Sequence, residues 1–165
     1  MPPIAFFDGH NDTLLKLLDT EGNRARHFID GMPSADIDLP RARAAGMAGG
    51  FFAMFPPPLK VKPDAVAAAP NYSAGTLPPQ LALADAQQST FGMSAILLQL
   101  ERAGALAICR SADDIRAARE RGVMAAVMHI EGAEAIDTGF DALELLYAAG
   151  LRSIGLVWSR ANAYA

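Results

Sequence analysis

The 165-residue sequence carries one cysteine, one tryptophan and three histidines. A single cysteine excludes an intrachain disulfide framework and gives no sign of an oxidising compartment. Cys109 sits in the apolar run Leu106-Ala107-Ile108-Cys109, where a thiol packs as a small hydrophobe rather than reacting. The net charge is -4 and no basic stripe is present, so nucleic-acid binding has no electrostatic support. No window approaches the roughly 18 consecutive apolar residues of a spanning helix. The stretch from Met1 to Asp8 lacks a basic region and meets an acid too early for a secretory leader. The expectation is a soluble, cytoplasmic chain with no membrane segment. Also missing are a Gly-x-Gly-x-x-Gly after any strand pattern, a Gly-x-Ser-x-Gly elbow and a Cys-x-x-Cys pair, which removes the commonest nucleotide, serine-hydrolase and thiol-redox readings.

What is there fits a globular protein, with 52% hydrophobic and 19% charged residues, read as a single domain over residues 1–165. Strand-like and helix-like stretches alternate. Ile4 to Phe7 reads as a strand, and Thr13 to Leu18 as a short helix. Asp38 is a plausible N-cap for a helix over Arg41 to Ala45, with Pro40 tolerated in its first turn and Gly46 as the stop. Gly49 to Phe55 reads as a buried strand opened by glycines that permit close backbone approach. A Pro/Ala-rich excursion follows, from Pro56 to about Pro79, long enough to be a lid or a flexible insertion.

Gln80 to Ala103 then reads as a long helix whose buried stripe is Met93, Ile96, Leu97 and Leu100. Ala105 to Cys109 is a strand, and Ser111 caps a helix over Ala112 to Arg121. Met124 to Ile130 is a fourth strand. Asp141 to Ala149 is a helix with Leu143, Leu146 and Tyr147 inward, and Ser153 to Val157 is a fifth strand. Strands separated by helices of this length imply βαβ units and a parallel sheet. An open doubly wound sheet and the first part of a (β/α)8 barrel both satisfy that pattern; the candidate ligands at strand C-terminal ends favour the barrel, where barrel enzymes place their chemistry.

Those candidates occupy two motifs. In Asp8-Gly9-His10-Asn11-Asp12, alternation along an extended chain points His10 and Asp12 the same way, toward one cation. Imidazole nitrogen and carboxylate oxygen suit zinc and related divalent ions. In His129-Ile130-Glu131-Gly132-Ala133-Glu134, the same alternation puts Glu131 and His129 on one face, and Gly132 lets the chain turn away. Glu131 reads either as a ligand able to bridge two ions or as a helix-start charge. His129, a layer lower, reads as a donor behind the ligands or a satisfied core residue. Glu134 reads as a turn charge, and His27, in a polar stretch, as a loop residue.

These motifs, in this order, resemble the membrane (renal-type) dipeptidase family, zinc peptidase family M19, in its bacterial form. The resemblance rests on Asp8-Gly9-His10-Asn11-Asp12, on Asp36-Ile37-Asp38-Leu39-Pro40-Arg41 followed by Gly49-Gly50-Phe51-Phe52, on Ile130-Glu131-Gly132-Ala133-Glu134-Ala135-Ile136, and on Gly150-Leu151-Arg152 with Trp158-Ser159-Arg160-Ala161-Asn162. It implies an α/β fold, a (β/α)8 TIM barrel of the metal-dependent amidohydrolase type. It also implies two zinc ions per complete site, with His10 and Asp12 on the first ion and Glu131 bridging both. The implied reaction is hydrolysis of dipeptides by a metal-bound hydroxide. Trp158 stands where animal members carry a substrate-binding histidine, and Glu134 where they often carry another.

By the same resemblance the chain holds about the first five βα units, the N-terminal part of a barrel that usually takes about 250 residues. The catalytic residues and the remaining ligands are then expected downstream of Ala165. The reading leaves open a homo-oligomer of the full-length protein. Two other functions share these motifs: an inactive truncated paralogue acting only as a structural or interaction partner, and another amidohydrolase acting on a cyclic amide or ester.

Overall fold

Each apolar run of the sequence pairs with another in a parallel sheet, and the amphipathic stretches between them cover its outer face. The structure is a computed structural model that describes residues 4–57 and 78–165. Strand β1 (Phe6–Asn11) leads through helices α1 (Thr13–Leu18), α2 (Arg24–Asp30) and α3 (Leu39–Ala45) to β2 (Met47–Met54). Then follow α4 (Leu83–Arg102), β3 (Leu106–Ile108), α5 (Ala112–Glu120), β4 (Met124–Glu131), a 3₁₀ turn (Ala133–Ala135), α6 (Asp141–Ala149) and β5 (Leu151–Gly155). All the strand pairings are parallel. The architecture is a partial (β/α)8 barrel.

The strand order departs from simple succession. β4 pairs with β2 along Ala125 to Ile130, while its other edge is shared: β3 takes Met124 to Ala126 and β5 takes Met128 to Glu131. At the C-terminal end of the sheet the path therefore runs β1-β2-β4-β5, and the short β3 lies alongside only the first half of β4.

The core forms where α1 and α4 cross the sheet. Leu14 and Leu17 of α1 and Met93, Ile96, Leu97 and Leu100 of α4 have no exposed surface and pack with Phe52, Met54, Met128 and Ile130. Burying side chains of this size contributes about 1.5–3 kcal/mol each. Gly49 is required by close approach: a Cβ there would lie 2.4 Å from the carbonyl oxygen of Ala125 and 2.7 Å from the Phe7 ring. Cys109 is buried, and burial pushes its thiol pKa up, consistent with an unreactive packing role. No helix among the described residues is long and apolar enough to cross a membrane.

Several local expectations are corrected. His27 lies on helix α2 rather than in a loop; Asn23 caps that helix by accepting from the Arg26 backbone N–H, and the His27 ring lies 3.1 Å from the Glu21 carbonyl. Only Ala25 and Phe28 of α2 are buried, so its apolar signal was too sparse to show. Tyr147 is exposed, its ring beneath the Arg152 guanidinium at 4.0 Å, because the buried stripe of α6 runs through Ala142 and Leu146. β5 begins at Leu151 and stops at Gly155, the partner of the last residue of β4, so Leu156 and Val157 leave the sheet and are exposed. The expected Pro/Ala-rich excursion falls outside the described residues between 58 and 77.

Candidate metal centre

At the C-terminal mouth of the sheet, one side chain from β1, one from the start of α1 and one from the end of β4 converge. His10 Nε2 lies 3.4 Å from Asp12 Oδ1 and 3.5 Å from Glu131 Oε2. Donor atoms of the three all fall within 4.8 Å of one another. Metal–ligand bonds of about 2.0–2.1 Å in a tetrahedral shell set neighbouring donors about 3.3–3.4 Å apart. The two separations from His10 match that edge length and the third lies within 4.8 Å, so the nitrogen and oxygen set could hold one divalent cation.

The route to this convergence differs from simple alternation. β1 extends through His10 and Asn11, but its register against β2 is irregular between Asp8 and Asn11. Asp12 lies beyond the strand, at the N-cap of α1, with φ −99° and ψ 26°. Its carboxylate makes no capping hydrogen bond. Asn11 instead holds the turn into the helix: its Oδ1 accepts from the Thr13 N–H at 3.3 Å, while its Nδ2 donates to Asp8 and to the Phe51 carbonyl at 2.9 and 3.1 Å. Asn11 is buried and clips the end of β1 to β2 and to α1. Sequence reasoning passed over it. The available signal was the run of two capping-competent residues, Asn11-Asp12, before one helix, since only one is needed.

β4 delivers its residues as alternation requires. Met128 and Ile130 face the helices without exposure, whereas His129 and Glu131 are partly exposed on the inner face. Between β1 and β4 lies β2, and the residue level with His129 is Ala53. Strands two apart are separated by roughly 9–10 Å. The small Ala53 leaves room beside His129, and His10 and Glu131 meet across β2 nearer its C-terminal end. Burial, with the Asp12 carboxylate adding to it, pushes the Glu131 pKa up against the opposing pull of His10. Two carboxylates held this close in a partly desolvated mouth favour a cation between them.

His129 stays outside the cluster. Its Nδ1 lies 2.8 Å from Ser153 Oγ on β5, and its ring stands edge-on to His10 and to Phe51 at 5.9 and 6.1 Å. Burial and then the nearby His10 hold its pKa below the usual histidine value, which favours a neutral ring behind the cluster. Trp158, half exposed, packs its ring against Phe55 at 5.2 Å beyond the end of β2. A cavity of about 400 Å³ opens beside the cluster, bordered by His10, Asp12, Lys16 and Asp36. A larger hollow of about 1040 Å³ at the C-terminal end of α1 contains none of these donors.

Glu134 is not the solvated turn charge the sequence suggested. It is buried opposite the buried Arg160, with Nε to Oε1 at 4.0 Å.

The model of the membrane dipeptidase family, peptidase family M19, matches residues 1–165. The chain belongs to peptidase family M19. Among the solved M19 structures it is similar to the metallopeptidase dipeptidase AC, with 40% identity and a TM-score of 0.81 over 96% of this chain and 44% of that one. It is similar also to a metallopeptidase from Rhodobacter sphaeroides, solved with a phosphinate mimic of the dipeptide L-Ala-D-Ala, with 40% identity and a TM-score of 0.83 over 97% and 47% of the two chains. A curated relative, an uncharacterised protein in the PQQ-III 3' region of Acinetobacter calcoaceticus, is 36% identical over 98% of this chain and 51% of its own length. The M19 chain described here thus spans about half the length of these relatives. Membership makes it a chain of a metallodipeptidase family.

Proposed function

We propose that this chain forms part of a zinc dipeptidase, with His10, Asp12 and Glu131 as metal ligands. The observation that carries the reading is the convergence of the three donors at 3.4 and 3.5 Å from two separate strand ends. Zinc at such a site supplies a Lewis acid for a peptide carbonyl and lowers the pKa of water so that a nucleophile exists at neutral pH. His10 and Asp12 would hold the first ion, and Glu131, with one oxygen turned to His10, would reach toward a second. Asp12 makes no cap hydrogen bond, which leaves its carboxylate free for that duty. His129, tied to Ser153, would hold the His10 ring edge-on and keep it from rotating out of the mouth. Phe55 and Trp158 would form an apolar wall for a substrate side chain. Three ligands do not complete a two-ion site, and the remaining ligands and the catalytic residues are assigned outside these 165 residues.

The substrate class is a dipeptide, supported by the similarity to the protein solved with the L-Ala-D-Ala mimic. Hydrolysis of L-Ala-D-Ala by the zinc-loaded whole protein that carries this chain tests the reading. Activity is expected to disappear in His10→Ala while the circular dichroism spectrum is retained. Full activity in that variant would remove the ligand assignment.

A further inference from the structure

The turn that follows Glu131 is held by a device the metal site itself does not explain. Glu134 and Arg160 are 8% and 2% exposed, and their facing atoms are 4.0 Å apart. Among the described residues, Glu134 Oε2 and all three guanidinium nitrogens of Arg160 have no hydrogen-bond partner. A buried ion pair with unsatisfied donors contributes little to stability, because desolvating both charges offsets their attraction. Its geometric effect is more specific. The Glu134 carboxylate folds back over Gly132, so that a Cβ on that residue would lie 2.2 Å from Oε2. Gly132 itself has φ +89°, a conformation open to glycine. On the other side the same turn is fastened to the end of β5, with the Gly132 N–H donating to Gly155 at 2.9 Å and the Ala133 N–H to Leu156 at 3.0 Å. Arg160 follows that segment by four residues, so one loop grips the turn twice, through its backbone and through its charge.

We infer that Arg160 and Glu134 are positioning residues for the metal centre: their buried pair fixes the Gly132 turn and thereby the direction in which Glu131 presents its carboxylate to His10. This rests on the reading of Glu131 as a ligand. Partners that orient metal ligands typically weaken metal affinity by roughly 10–100-fold when removed.

The experiment measures zinc dissociation constants by chelator competition, and the visible spectrum of the cobalt-substituted protein, in the whole protein. The variants are Glu134→Gln, Arg160→Lys, Arg160→Met and the double variant Glu134→Gln/Arg160→Met. Ile96→Val, in the core of α4, reports what loss of packing alone does. Glu134→Gln and Arg160→Met are expected to weaken zinc by roughly 10–100-fold and to shift the cobalt bands, whereas Arg160→Lys retains most of the affinity. The double variant leaves no uncompensated buried charge, so it regains melting temperature even where a single variant fails to fold. Its zinc affinity stays low. Wild-type affinity and an unchanged cobalt spectrum in the double variant would overturn this inference alone, and so would equal weakening in Ile96→Val. A wild-type protein that takes up no zinc would overturn the metal reading and this inference with it.

Discussion

Asp12 and Asp38 both stand at the N-cap of a short helix, and the two sites use the same carboxylate in opposite ways. Asp38 is buried and saturated: its oxygens accept from the Met32 and Arg41 backbone N–H groups, each at 2.9 Å, and from Arg41 Nε at 2.8 Å. Arg41 in turn donates to the carbonyls of Met32 and Ala35, which closes the loop before α3. The Arg41 side chain leads the causes that hold the Asp38 pKa down to about 2. Asp12 caps nothing, is half exposed and faces His10. A carboxylate engaged by its own fold is unavailable for ligands. One that makes no cap hydrogen bond, like that of Asp12, is free to bind them.

The largest effects should come from removing donors at the mouth. His10→Ala and Asp12→Asn are expected to weaken zinc beyond the roughly 10–100-fold associated with outer partners, with the melting temperature of the metal-free protein little changed. Equilibrium dialysis together with thermal denaturation reads both quantities, and a large fall in melting temperature would erase the contrast. Asp38→Ala should do the reverse. It removes a cap and a charge-assisted hydrogen-bond cluster, costing about 2–4 kcal/mol in urea unfolding, while zinc affinity in the folded fraction stays at the wild-type value.

Acidity sharpens the same comparison. The folded-state pKa of Asp38 is lowered to about 2, below the unfolded value of about 3.9. Its contribution to stability is therefore complete above the unfolded value and is lost as pH falls through about 4 toward 2. Asp38→Ala should flatten the acid limb of the stability curve over that window, and an unchanged limb would count against the hydrogen-bond assignment. Glu131 is shifted the other way, upward through burial and then Asp12. Its ionised form destabilises the metal-free fold at neutral pH, so Glu131→Gln should raise the melting temperature of zinc-free protein while weakening zinc uptake. The smallest effect is assigned to Trp158→Ala, which removes the contact with Phe55 and about 1 kcal/mol or less of aromatic packing. Its signature would be a raised KM with kcat retained.

Much of the site was legible because its chemistry is local. His10 and Asp12 are two residues apart, and Glu131 ends a strand whose alternation the structure keeps. The stripe through Met93, Ile96, Leu97 and Leu100 was legible for the same reason, a regular period over a long helix. What the sequence hid depends on distant pairing. That β3 and β5 share one edge of β4 follows from lengths and registers that no single strand encodes. The partnership of Glu134 with Arg160 joins residues 26 positions apart in the chain, and nothing in either motif marks it. Asp12 does lie beside His10, but not through parity, since the register shift in β1 and the turn into α1 replace strict alternation.

The arrangement around β4 gives the mouth two unequal jaws. β4 is hydrogen-bonded on one edge to β2 and on the other, in succession, to β3 and β5, so its backbone amides are expected to exchange slowly. Among the described residues β1 pairs only with β2, and irregularly. Glu131 is thus mounted on a strand paired along both edges and His10 on one whose register is irregular. A cation held by His10 and Glu131, as proposed, would join two strands that share no backbone pairing among the described residues, and so would staple the first strand of the sheet to its most extensively paired one.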